Sequence, residues 1–135
     1  MTLTLMKSTK GKLAGGYLHI QWKYGDWCGG YVSDSSAFVF SVDSQLKLTP
    51  TNKHKAVFFF SSCGPKFGYC SLAVGNNEMM NAPANCSCCT NGRVDYYNVP
   101  SDAQGNSILT GDGQGKKDDD KKFTLAAIET WAVIY

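Results

Sequence analysis

Phe123-Thr124-Leu125-Ala126-Ala127-Ile128-Glu129-Thr130-Trp131-Ala132-Val133-Ile134-Tyr135 closes the chain, and its reading decides the fold. The odd positions Phe123, Leu125, Ala127, Trp131 and Val133 are apolar, while the even ones hold Ile128 and Ile134 among threonines and alanines. Alternation with period two is the pattern of a strand with one buried face. It predicts a long final strand in the interior, with Trp131 in the core. Glu129 interrupts the apolar face. A carboxylate there must be paired, protonated or at the rim, because unpaired burial costs several kcal/mol. Its two readings are a structural rim residue and part of a partner-binding surface.

The same period runs through the rest of the chain. Thr2-Leu3-Thr4-Leu5 alternates strictly, and Leu18, Ile20 and Trp22 share one face of Leu13 to Trp22. Phe38, Phe40 and Val42 alternate with Val39 and Ser41, and Ala56 to Phe60 is a short apolar run suited to a strand covered on both faces. Tyr69 to Val74 and Asp95 to Val99 are weaker strand candidates. Turn signals separate these runs at Gly29-Gly30, Asn76-Asn77, Asn91-Gly92, Gly105-Asn106 and Gly111-Asp112-Gly113. Asp112 to Lys122 reads as a solvated loop whose neighbouring charges cancel. Short strands with regular turns and no helical period indicate a mainly β, two-sheet antiparallel β-sandwich.

Composition narrows the function. With 135 residues, 43% hydrophobic and 18% charged, one globular domain is expected. Net charge is +2, and of the 13 basic residues only Arg93 is an arginine. Base reading relies on the guanidinium fork and phosphate binding on clustered cations, so no nucleic-acid partner is expected. No apolar stretch reaches the ~18–20 residues that cross a bilayer, and Met1 to Lys12 has no apolar core of signal-peptide length. Read as complete, the chain is expected to be cytoplasmic without membrane insertion, with a cytoskeletal or ciliary placement as a narrower form of that reading.

The chemistry-bearing residues are few. The six cysteines are Cys28, Cys63, Cys70, Cys86, Cys88 and Cys89. They are too dilute for a disulfide scaffold, so reduced thiols are expected. Cys86-Ser87-Cys88-Cys89 contains one C-x-x-C half-site, but Cys63 and Cys70 have six residues between them and do not form a second, so no metal or cofactor is expected. Gly111 to Lys117 lacks the spacing and the following helix of a phosphate loop. His19 and His54 have no serine, cysteine or carboxylate tied to them by a motif, Ser61-Ser62 lacks a nucleophile elbow, and the only glutamates are Glu78 and Glu129. Nucleophile, base and ligands never converge, and no enzyme is expected.

Several segments, in order, are similar to one family. Thr2-Leu3-Thr4-Leu5-Met6-Lys7 with Gly11-Lys12 and Gly15-Gly16-Tyr17 resembles the opening of the TLDc domain. Phe38-Val39-Phe40-Ser41-Val42 is similar to its "FLFSL" strand, and Gly64-Pro65-Lys66-Phe67-Gly68 with Leu72 to its "GPxFG…DL" signature. Leu109-Thr110-Gly111 and Phe123 to Val133 resemble its closing pattern. The chain departs from the pattern at Ala14, Ser71 and Thr130, and residues 76 to 107 match no family motif.

The resemblance implies a single TLDc-like domain over residues 1–135, lacking the family's N-terminal helical portion and belonging to a longer protein. It also implies a sandwich without established catalysis, acting through protein contacts. Family members are associated with protection from oxidative stress and with the vacuolar proton-pumping ATPase. The expected role is an adaptor of that kind, and the alternative is a structural subunit of a large cytoskeletal, ciliary or organellar assembly. Candidate binding residues are Glu129 together with Gly64, Pro65, Phe67 and Gly68, the last four also readable as a backbone corner anchored by Phe67.

Overall fold

The computed structural model describes residues 1–22, 30–59, 65–68, 72–73, 87–89, 96–98 and 122–134. In chain order its strands are β1 (Thr2–Ser8), β2 (Leu13–Leu18), β3 (Gly30–Val32), β4 (Phe38–Ser41), β5 (Leu46–Leu48), β6 (Val57–Phe59), β7 (Lys66–Phe67), β8 (Leu72–Ala73), β9 (Ser87–Cys89) and β10 (Lys122–Ala132). One short 3-10 helix, η1 (Lys53–Lys55), precedes β6. Six strands form a large sheet in the order β5-β4-β2-β1-β10-β9, and four form a small one in the order β3-β6-β7-β8. Every described pairing is antiparallel, so the two-sheet antiparallel architecture is as the alternation indicates.

The first and last strands are neighbours inside the large sheet, where β1 pairs with β10 from Thr2↔Ala132 to Ser8↔Leu125. The inner face of that sheet presents small and medium side chains: Thr4, Met6 and Ser8 from β1, Ala14 and Leu18 from β2, and Val39 and Ser41 from β4. The small sheet answers with Val57, Phe59, Phe67 and Leu72. Phe67 is wholly buried, and its ring lies on the backbone of Gly16 so closely that a methyl group there would overlap it. Trp22 stands edge-on to Phe59 and Phe67, with ring centroids 5.2 and 5.8 Å away.

One expectation is corrected. Trp131 is 57% exposed, not in the core. Between Lys7↔Ala127 and Ser8↔Leu125 the register shifts, and β10 carries one residue more than β1. Such a bulge inverts the phase of a strand, because the side-chain period is two. Leu125 before the shift is buried, and Ile128 beyond it packs against the core, while Ala127, Glu129 and Trp131 turn outward. The bulge also removes the difficulty of Glu129, whose carboxylate is in solvent. Trp131→Ala is therefore expected to change stability by less than about 1 kcal/mol. A thermal melt showing a loss above about 3 kcal/mol, the range of an aromatic removed from a core, would contradict the inverted phase.

Two polar clamps hold the sheets in place. Asp34 is 5% exposed, and its carboxylate accepts from the backbone N–H groups of His19 (2.7 Å), Ile20 (3.2 Å) and Ser36 (2.8 Å). Its own N–H donates to the Lys53 carbonyl at 3.0 Å. The end of β2 is thereby tied to the connection between β3 and β4 and to η1. The second clamp is the Ala56 carbonyl, which accepts from the Tyr97 hydroxyl at 2.9 Å and the Gly68 N–H at 2.7 Å. Gly68 has φ +62°, a left-handed conformation that glycine takes without a steric penalty, and Pro65 just before β7 is buried.

Burial, and secondarily the Asp34 charge, raises the Tyr97 phenol well above its ordinary value near 10. The unfolded chain then releases that proton first. The resulting stability is complete below about pH 10 and is lost as pH rises beyond it. Urea midpoints are expected to fall above about pH 10 in the wild-type chain and less steeply in Tyr97→Phe. Parallel slopes would contradict it.

Candidate protein-docking face

The outer face of the large sheet carries Tyr17, Phe38, Phe40 and Trp131. In β1 the buried positions are Thr4, Met6 and Ser8, so Leu3, Leu5 and Lys7 point away from the core. In β4 the inward residues are Val39 and Ser41, leaving Phe38 and Phe40 outside. Registers across the strands align these residues in rows. Phe38 lies opposite Tyr17, Tyr17 opposite Leu3, and Leu3 opposite Trp131. The next row runs Lys47, Phe40, Gly15, Leu5, Glu129.

The rings interlock. Tyr17 and Phe38 stack with centroids 5.2 Å apart, and Phe38 and Phe40 are tilted at 6.2 Å. Lys47 Nζ sits 4.1 Å over the Phe38 ring, where a cation meets the negative π face. Gly15 leaves room for the Phe40 ring in the middle of the second row, since a methyl there would overlap it. The outcome is an apolar and aromatic face, on which Trp131 is exposed and Leu3, Leu5, Tyr17, Phe38 and Phe40 are half-buried, in place of the polar outer face usual in antiparallel sheets. Contiguous apolar surface rimmed by charge marks an interaction site.

The TLDc domain family model matches residues 1–134. The chain belongs to the TLDc domain family. No curated protein and no solved structure matches it. TLDc domains are generally regarded as non-enzymatic, and at family level they are linked to oxidative stress and the vacuolar proton-pumping ATPase.

In this TLDc domain the candidate binding residues fall in two places. Glu129 is exposed on the outer face, opposite Leu5. Pro65, Phe67 and Gly68 are buried on the opposite sheet, where Phe67 faces the core. Gly64 lies outside the described residues, as do Cys28, Cys63, Cys70 and Cys86, while Cys88 and Cys89 are in β9 beside the start of β10. The loop from Asp112 lies outside them up to Lys122, which opens β10. Among the described residues, no three His, Cys, Asp or Glu side chains are placed to hold a metal. No helix among them is long and apolar enough to cross a membrane.

The structure also joins residues that no motif connects. Ser33 Oγ and His54 Nδ1 are 2.9 Å apart at the exposed end of β3. A nucleophilic dyad needs a third group to orient the imidazole. The neighbouring carboxylate, Asp34, is instead committed to three backbone N–H groups. On the small sheet, Tyr31 stacks on Tyr96 at 5.7 Å and meets Phe58 edge-on at 5.1 Å, with Lys55 and Lys66 over the rings. Tyr31 is 37% exposed in this cluster, against 57% for Trp131 on the outer face of the large sheet, where the aligned rows are longer.

Proposed function

We propose that this TLDc domain is a non-catalytic adaptor that docks on a protein assembly, the vacuolar proton-pumping ATPase, through the outer face of its large sheet. The observation that carries the reading is the in-register row Phe38, Tyr17, Leu3, Trp131 on a face turned away from the core. Aromatic side chains with a charged rim are the composition of interface centres, where a few buried rings supply most of the affinity. Glu129 belongs to this surface as a rim residue. Pro65, Phe67 and Gly68 contribute from behind, by fixing the sheet that supports it.

Purified proton pump supplies the test. The wild-type chain is expected to bind reversibly and to change pumping. Trp131→Asp places a charge in the row without disturbing the core, and is expected to weaken binding at least ~30-fold, a hot-spot effect of about 2 kcal/mol. Retention at fixed stoichiometry through high-salt washes with no effect on pumping would contradict the adaptor role. Equal binding by Trp131→Asp would contradict the assignment of the face.

A further inference from the structure

We infer that a second copy of this chain pairs with the outer face of the large sheet, forming a weak twofold dimer that closes the face when the domain is not docked. The inference rests on the reading of that face as a contact surface and names an occupant for it. What selects the occupant is the placement of charge. Lys47 lies on the edge strand β5, and Glu129 lies in the same row on β10. Both are exposed, and among the described residues neither is in an ion pair. Four strand spacings separate them, roughly 19 Å. Between them the row is Phe40, Gly15 and Leu5, without charge.

A face with a cation two strands to one side of β2 and an anion two strands to the other is complementary to itself under one twofold axis. If the axis runs along the strands above β2, Lys47 of each copy meets Glu129 of the other. The same operation sets Tyr17 on its own counterpart and Phe38 on Leu3 of the second copy. The strands of the two sheets then run nearly aligned, the usual geometry of face-to-face sheets. A twofold axis across the strands and along this row would instead set Lys47 on Lys47 and Glu129 on Glu129. Like charges oppose that arrangement, whereas the axis along the strands gives an isologous interface with two identical ion pairs. Five strands by these two rows cover roughly 300 Å² per copy, below the ~800 Å² of a stable interface, so the dimer is transient and its face is available to another partner.

Sedimentation equilibrium of the full 135-residue chain, over concentrations bracketing about 10–100 µM, tests the pairing. Wild type is expected to show a monomer–dimer equilibrium that weakens with salt. Lys47→Glu and Glu129→Lys are each expected to raise the dissociation constant at least ~10-fold, and the double reversal to bring it back within about threefold. Circular dichroism checks that all three exposed-site variants keep the fold. A monomer at every concentration, or a double reversal no better than the singles, overturns the pairing. In either of those cases, loss of pump binding in Trp131→Asp would leave the docking face standing. Unchanged pump binding in that variant would remove both.

Discussion

Phe67→Ala is expected to lower stability by about 3–5 kcal/mol, because the ring fills the space between the two sheets. The side chain is wholly buried, rests on Gly16 of the large sheet and receives the edge of Trp22. Close approach of the ring requires a residue without Cβ opposite it. Gly16→Ala is expected to cost about 1–3 kcal/mol through overpacking, more if the strands cannot move apart. The two positions share one contact, so their effects should not add. Gly16→Ala combined with Phe67→Leu is expected to recover about 1 kcal/mol relative to the sum of the single changes. Chemical denaturation of the four chains measures the coupling. Strict additivity would mean that the ring does not rest on Gly16.

Asp34→Ala should be comparably damaging for a different reason. Removing the carboxylate strands the N–H groups of His19, Ile20 and Ser36, each of which donates to it from a buried or half-buried site. Hydrogen bonds to a charged group contribute about 1.5–3 kcal/mol each, and buried donors left unpaired add a desolvation cost. A total loss of about 3–5 kcal/mol is expected. Asp34→Asn keeps the shape but presents an amide N–H₂ that cannot accept, so it should recover only part of the loss. Hydrogen exchange at His19 and Ile20 should accelerate in both variants. Wild-type protection at those amides in Asp34→Ala would show that water or another acceptor replaces the carboxylate.

Much of the large sheet was legible because one-sided burial imposes a period of two that no other structure produces. β1, β2, β4 and β10 all fall within alternating runs. The side toward which each run points was less legible. Phe38 and Phe40 form the more apolar alternation of β4, yet they face outward, and the smaller Val39 and Ser41 are the buried pair. In β10 the phase changes at Ala126-Ala127, two alanines without the glycine or proline that usually announces a bulge. Uninterrupted alternation therefore points Trp131 inward, which is correct for Leu125 and inverted beyond the bulge.

The candidate site was less legible still. A docking face is a property of registers, and Phe38, Tyr17, Leu3 and Trp131 become neighbours only once four strands are aligned. Glu129 could be singled out because it broke a pattern, not because its role was visible. The Asp34 clamp and the Ser33–His54 contact join segments 15 and 21 residues apart through the meeting of the two sheets. β3 follows Gly29-Gly30, a turn signal, and three residues are too short to alternate convincingly.

Hydroxyl-radical footprinting of the chain bound to purified proton pump, at dilutions where self-pairing is broken, tests the docking face most directly. Aromatic side chains are its reporters. Protection of Trp131, Tyr17 and Phe38 on binding, with Tyr31 on the small sheet still reactive, is the expected result. Protection confined to Tyr31 and Phe58, with Trp131 as reactive as in the free chain, would contradict the assignment of function to the outer face of the large sheet.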